Sequence, residues 1–496
     1  MLSDFNHFLA QFKTRLYHLF HNETNINELS ISRGLPDAVW AQIMDSVPLS
    51  VSVPKAFGGR GNNVKECLEI LSAASYESLP LSLTFGINIA LFLEPLSKYG
   101  NPDIQDKIFK RFLEDKAMGG LMITEPDFGS DALNMRTQYT IAGDQYKITG
   151  KKHWQGLTGM ADFWIVAARK KTNHNDLGRD IDFFVTDNSL PEQKIQVENY
   201  FNNLGLYMIP YGLNTIDISV PENQRLQHHS TGIKMMLDIL HRSRMQFPGM
   251  GMGFIQRMLD EAISHCTQRK VAGQMLSEMD SVRYQLSRIQ SSYTLCSGMC
   301  ARSASISGIE HDLSVQGLEA NSMKALVTDL MQESAQICVQ LSGSSGYKID
   351  HIAGRGIVDS RPFQIFEGSN EMLYTQIAEM ITKQMKKTKE TNLYQCLSQA
   401  GYCNAIISQF KTHLDFSLND ILVQRQLVVL GKILARLICL QYVANMVDKG
   451  YREDLFQNCT KHMEMDIKKL LSDLCQFNNA EPIIHYQEQS SWSQFI

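Results

Sequence analysis

The feature that most limits what this chain can fold into is a double change of hydrophobic period. Up to about residue 118, and again from about 230, apolar residues recur every three or four positions, the spacing of a buried helical stripe. Between these blocks the runs are short and β-rich, at 145–149, 163–167, 181–185 and 215–219, with Gly, Asn and Asp between them as in hairpins. Strands gathered in one block between helical blocks specify an α+β chain. The expected organisation is an N-terminal helical domain (1–118), a middle β domain folded as a small barrel or sandwich (119–229), a C-terminal four-helix bundle (230–385) and an additional helical extension (386–496).

In the first block, helices are expected at 67–78, 81–99 and 104–113, broken by Pro80, Pro95 and Pro102. Val53-Pro54 followed by Gly58-Gly59 reads as a tight connection. The bundle helices are expected at 250–275, 279–299, 319–341 and 370–385, their many methionines filling the core. Gly249-Met-Gly-Met-Gly253 does not follow a strand, so it reads as close helix packing rather than a dinucleotide fingerprint. Residues 1–10 read as an amphipathic helix, not a leader. The apolar run 427–446 carries Lys432, Arg436 and Gln441, which suits a buried helix better than a membrane span.

Composition narrows the function classes. A net charge of −5 gives no global signal for nucleic acid or anionic membrane. The extension has nearly balanced acidic and basic residues beyond its basic start at Lys383–Lys389, and so carries no such signal either. Ten cysteines without a Cys-x-x-Cys pair argue against a zinc or redox motif and fit a cytoplasmic protein; no metal site is expected. Cys296 and Cys300, one helical turn apart, read as packed thiols.

Glu367 is the main candidate for chemistry. Flanked by Ile365, Phe366 and Gly368, its carboxylate would be partly desolvated, which raises its pKa toward the range a general base needs. Ser369-Asn370-Glu371 is placed to cap the following helix. Taken alone, the same residues also fit a solvated carboxylate on an ordinary loop.

The segment Gln364-Ile-Phe-Glu-Gly-Ser-Asn-Glu-Met372 is similar to the catalytic segment of the acyl-CoA dehydrogenase family. Val53-Pro-Lys-Ala-Phe-Gly-Gly-Arg-Gly61, Met122-Ile-Thr-Glu-Pro-Asp-Phe-Gly-Ser-Asp131, Gly150-Lys-Lys-His-Trp154, Val220-Pro-Glu-Asn223, Arg269-Lys270 and Gln340-Leu-Ser-Gly-Ser-Ser-Gly-Tyr347 resemble other motifs of that family, in its order. The resemblance implies an oxidoreductase of acyl thioesters, fatty-acid metabolism included, that converts an acyl-CoA to its trans-2-enoyl product. Glu367 would remove the α-proton, and N5 of FAD would accept the β-hydride. Arg244 would position substrate beside Glu367; Ser243 means that the base placement used in some branches is absent.

For the flavin, the resemblance implies Thr124 at the ring, Gly129 and Ser130 at the pyrophosphate, Trp154 at the ring edge and Ser369 near the catalytic turn. Arg269, Gln340 and Gly343 would reach the FAD of a neighbouring subunit, making a homodimer or tetramer. Read without the family, Thr124 to Ser130 fit a turn, Trp154 a core aromatic and Arg269 a solvated cation. Departures from the family pattern are Gly156 for a hydroxyl residue, Val271 for another, Ala272-Gly273 for Phe-Gly, His241 for an aspartate and Ser344 for a glycine. They mark a divergent branch, with an acyl-carrier-protein thioester or an acyl-CoA oxidase activity as alternatives. Electron-transfer flavoprotein is the implied acceptor. A DNA-associated homologue is a remote alternative, disfavoured by the near-neutral extension.

Overall fold

The computed structural model describes residues 4–172, 176–418, 422–475 and 481–496. The Met1–Ser3 part of the expected N-terminal helix lies outside them. Helix α1 (Phe5–His18) starts on Asp4, whose carboxylate accepts from the Asn6 N–H at 3.1 Å, and it buries Phe12 and Leu16. It is followed by α2 (Ile26–Leu29), α3 (Asp37–Met44), α4 (Val64–Glu77), α5 (Leu79–Asn88), α6 (Glu94–Tyr99) and α7 (Pro102–Glu114). Pro80 and Pro102 open α5 and α7 in their first turns, where the missing N–H has no partner to lose. Pro95 does not break the path, contrary to expectation. A π-helical turn, Ile89–Leu93, joins α5 to α6, and the Glu94 N–H reaches back to the Ile89 carbonyl, so the wider coil absorbs the proline.

The middle region forms a seven-stranded sheet in the order β1-β4-β2-β3-β7-β6, with β5 also paired to β4. The strands are β1 (Gly119–Met122), β2 (Gln138–Ala142), β3 (Gln145–His153), β4 (Phe163–Lys171), β5 (Leu177–Asp187), β6 (Gln196–Tyr200) and β7 (Gly212–Pro221). The pairing is not hairpins alone. β1 and β2 lie end to end along one edge of β4, both parallel to it, at Gly119↔Phe163 and Gln138↔Arg169. The chain between them, 123–137, has no ladder to join and leaves the sheet as a loop.

Four long helices follow: α8 (Gly232–Gln268), α9 (Asp280–Ile306), α10 (Gly317–Ser342) and, after the short α11 (Ile352–Ser360), α12 (Asn370–Thr388). They alternate in direction. Ser303 of α9 bonds the Met245 carbonyl of α8, Arg288 of α9 pairs with Glu333 of α10, and Asn321 of α10 bonds Gln376 of α12. The first of these begins well before the expected residue 250 and runs through Pro248. Pro248 has no N–H to return to the Arg244 carbonyl, so the ladder is open at the turn that carries Arg244. Its expected C-terminal end is instead a hairpin of β8 (Lys270–Val271) and β9 (Gln274–Met275), turned by Ala272 and Gly273 at φ 50 and 87.

The glycines of 249–253 act as the sequence suggests. A Cβ at Gly253 would lie 1.9 Å from the Ser72 carbonyl of α4, and one at Gly251 would lie 2.4 Å from Val327 of α10. Cys296 is buried, its thiol on the Pro248 carbonyl at 3.1 Å.

The extension supplies α13 (Leu393–Ala400), α14 (Lys411–Leu414), α15 (Gln424–Val447) and α16 (Glu453–Cys475). α15 packs on α9, α10 and α12, and α16 packs on α9 and α15. Among the described residues, Leu79–Tyr99 and Gln424–Val447 are long and apolar enough to cross a membrane, and both are mostly buried inside the protein.

Candidate active site

The turn after α11 is where the helices converge. Phe363 and Phe366 pack against Phe247 of α8, with ring centroids 5.8 and 6.0 Å from it. Glu367 and Gly368 then take left-handed conformations, φ 52 and 90. Glycine is required at 368: a Cβ there would come within 2.8 Å of Met372 and 3.0 Å of Leu373 as well as straining φ. Ser369 caps α12, its Oγ accepting from the Met372 N–H at 3.5 Å.

Ser243 Oγ donates to Glu367 Oε1 at 2.9 Å, and Arg244 Nε donates to the Glu367 carbonyl at 3.0 Å. Arg244 also holds Asn321 Oδ1 at 2.8 Å. Glu367 Oε2 is shielded from solvent and has no hydrogen-bond partner. Burial pushes the Glu367 carboxyl above its ordinary pKa, against the opposing pull of Ser243, Arg244 and Lys324. The desolvation does not come from both sequence neighbours as expected. Ile365 is 56% exposed, so of the two apolar neighbours only Phe366, which packs against the core, is placed to shield Glu367. The Glu367 N–H has no backbone acceptor among the described residues.

A second group of predicted residues gathers on the loop that leaves the sheet between β1 and β2. Its base is tied by Glu125, which accepts from the Arg136 and Thr137 N–H groups at 2.6 and 2.9 Å and from buried Lys152 Nζ at 2.9 Å. Burial brings the Lys152 ammonium down to about 8. Burial alone would raise Glu125, but the Lys152 charge and the amides hold it below the usual carboxylate range. The Thr124 carbonyl accepts from the His153 N–H at 3.0 Å and from Gln155 Nε2 at 3.1 Å, which brings Thr124 beside Trp154. Trp154 has φ 59, is 51% exposed, and lies 4.6 Å from Phe201 and 6.0 Å from Tyr211 between ring centroids. Gly129 and Ser130 are exposed at the loop tip.

The two groups are joined through the loop after β6. The Leu206 N–H donates to Asp359 Oδ1 of α11 at 2.6 Å, and Gly205 lies so close that a Cβ would be 2.4 Å from the Val358 carbonyl. The Trp154–Gly156 turn rests on α5, where a Cβ at Gly156 would meet Ile87 at 2.7 Å. A side chain at Gly156 would require the Ile87 side chain to shift.

Arg269, Gln340 and Gly343 are not brought to Glu367. All three are exposed near the far ends of α8 and α10. At 1.5 Å per residue, Arg269 stands roughly 37 Å along α8 from Arg244. His241, in the place of an aspartate, is buried and bonds the Leu313 carbonyl at 2.7 Å; burial, then the Arg244 charge, lowers its pKa to about 4. It is a neutral structural donor.

Glu125, Lys152 and Lys324 escaped the sequence reading as site residues. The first two lie inside the quoted motifs, and the third is a lone cation among Met323, Ala325 and Leu326, the only sequence sign of its burial.

Family models of the acyl-CoA dehydrogenase middle and C-terminal domains match residues 120–217 and 230–382. The caffeyl-CoA reductase-Etf complex subunit CarC of Acetobacterium woodii is 24% identical over 369 residues, 72% of this chain and 93% of that protein. A glutaryl-CoA dehydrogenase from Mycobacterium smegmatis, solved in complex with FADH2, superposes with TM-score 0.67 at 18% identity over 77% of this chain and 95% of its own. The prolyl acyl carrier protein oxidase AnaB superposes with TM-score 0.66 at 17% identity, over 75% of this chain and 98% of its own.

Proposed function

The chain belongs to the acyl-CoA dehydrogenase family of flavoprotein oxidoreductases, and from that premise we propose that it catalyses α,β-dehydrogenation of an acyl thioester, with Glu367 as the base. The observation that carries this reading is the state of the Glu367 carboxylate. Oε1 is held by Ser243, while Oε2 is buried, unpartnered and free to take a proton. A carboxylate whose pKa burial has raised is matched to abstracting a weakly acidic α-proton near neutral pH.

The Glu367 N–H is the candidate donor to the thioester carbonyl, where a positioned amide can contribute about 3 kcal/mol to stabilising the enolate. Arg244 fixes the Glu367 carbonyl and so orients both the amide and the carboxylate. The residues also suit FAD. Thr124 and the half-exposed Trp154 form one edge for the ring, and Ser130 an exposed hydroxyl for phosphate. FAD, when bound, supplies the hydride acceptor. Gly156 carries no side chain, so the hydroxyl contact that the resemblance implies at this position is absent here. The separation of Arg269, Gln340 and Gly343 from Glu367 favours their serving the cofactor of a second subunit in a homo-oligomer. Electron-transfer flavoprotein is the proposed acceptor, in keeping with CarC belonging to a complex with Etf.

The test is anaerobic titration of the purified holoenzyme with acyl-CoA and acyl-carrier-protein thioesters, alongside Glu367→Gln. Flavin bands should bleach in the wild type, and the variant should lose roughly 10³-fold in bleaching rate. Equal bleaching in both would remove Glu367 as the base. Rapid reoxidation by air alone would make the protein an oxidase.

A further inference from the structure

A buried lysine with no part in the chemistry above stands beside the base. Lys324, on the first third of α10, is wholly buried. Its Nζ donates to the Gly368 carbonyl at 2.8 Å and to Asn370 Oδ1 at 3.1 Å, and it lies 6.0 Å from the Phe247 ring centroid. Asn370 is fixed in turn, donating to the Ala325 carbonyl at 3.0 Å and to Asp329 Oδ1 at 2.7 Å. Asp329 also accepts from Gln364 and Tyr374, each at 2.7 Å.

From the other side, Arg244 holds the preceding carbonyl, that of Glu367. Two consecutive carbonyls are thus each gripped by a buried cation, one from α8 and one from α10. The residues gripped are the left-handed pair. A non-glycine residue at positive φ is strained and persists only where its surroundings over-determine it. Packing is a poor account of Lys324, because an apolar side chain would fill the same space without the cost of desolvating an ammonium.

We propose that Lys324 is a positioning residue for the reaction: its ammonium clamps the Gly368 carbonyl, holds the left-handed Glu367–Gly368 turn that aims Oε2, and favours the ionised carboxylate. This rests on the reading of Glu367 as the base. The charged groups facing Lys324 are Glu367 on the turn, Arg244 from α8, Asp329 on its own helix and Glu371 from α12. Burial, only partly offset by Glu367, brings Lys324 down to about 7, and burial raises Glu367 against the pull of Ser243, Arg244 and Lys324.

The experiment uses Lys324→Met, which removes both donor and charge, and Lys324→Gln, which keeps a donor, in the full-length holoenzyme. Flavin reduction by the acyl-CoA that best bleaches the wild type is followed anaerobically against pH. Lys324→Met should slow reduction roughly 10- to 100-fold, as for a misplaced reacting group, while substrate Kd stays within about threefold. Its acid limb should move to higher pH, because the carboxylate has lost a neighbouring positive charge. Lys324→Gln should show the same pH displacement with a smaller loss of rate. Unchanged rate and acid limb in both variants would overturn the proposal. A crystal structure of Lys324→Met tests the clamp without any substrate: the clamp is refuted if Glu367 keeps its φ near 52 and its bond to Ser243. If wild type is bleached by no thioester, the base assignment fails, and that crystal structure still decides the clamp.

Discussion

The Glu367 turn and the Thr124–Ser130 loop are built on opposite plans. The turn is determined throughout from inside the chain: both carbonyls are gripped by buried cations, one carboxylate oxygen is bonded, and the next helix is capped by Ser369. The loop is anchored at its base, by Glu125 and Lys152, and its tip at Gly129 and Ser130 is exposed, with nothing within 4 Å of a Cβ built at Gly129. The difference teaches which chemistry a single chain can complete. On the proposed reading, proton transfer calls for preorganised groups, which a turn held in this way would offer. On the same reading, a cofactor edge calls for groups left open for a ligand, which an open tip on an anchored base would offer.

The contrast breaks most severely if the base of the loop is removed. Lys152→Met leaves the Glu125 carboxylate buried without its cation, which costs about 3–5 kcal/mol by the usual penalty for half a buried pair. Chemical denaturation should show that loss, and Glu125→Gln/Lys152→Met should recover part of it. A single variant as stable as wild type would mean that the loop is not anchored there.

The latch between the two regions comes next. Burial raises the Asp359 carboxyl to about 6, partly opposed by its bond from the Leu206 N–H and by Arg355. An unfolded aspartate, ordinarily at 3.8, loses its proton first, so the folded state binds more protons between about 3.8 and 6 and stability falls as pH rises through that window. Asp359→Asn has no such titration. Its stability relative to wild type should therefore improve from about pH 4 to 7 by roughly 2 kcal/mol and stay level above. A constant difference across that range would remove Asp359 as the titrating group.

Much of this was legible in the sequence, for reasons of period and type. The α+β division follows from hydrophobic spacing, and the close approach at Gly249 to Gly253 from small residues on a helix. Thr124, Trp154 and Glu367 stand out only through resemblance to the family's motifs. What stayed hidden depends on where distant stretches of chain meet in space. Nothing in the sequence around Ile365 says that it faces solvent while Lys324, far away in the chain, supplies the buried neighbour. Pro95 reads as a break because local propensity disfavours it, yet a π-helical turn carries the helical path through.

The extension provides a smaller test of the closed side. A Cβ at Gly431 of α15 would lie 2.0 Å from the Tyr374 carbonyl in the first turns of α12, the helix that follows the Glu367 turn. Gly431→Ala must push α15 off α12, at a cost of roughly 1–3 kcal/mol for overpacking. Thermal unfolding would register it, and slower flavin reduction with it would show that the extension braces the Glu367 turn. A loss of stability with unaltered reduction would confine its role to covering the bundle.

The smallest effect on folding is expected at the open tip, and it is the sharpest test of the contrast. Ser130 is exposed in the free chain, so Ser130→Ala should change stability without cofactor by less than about 0.5 kcal/mol. If its hydroxyl serves a phosphate, the same substitution weakens retention of FAD, measured by absorbance after gel filtration at rising salt, while leaving Glu367 and its clamp untouched. A variant that holds FAD as tightly as wild type would take Ser130 out of the cofactor edge. One that unfolds more easily without cofactor would show instead that the tip, like the turn, is held from within.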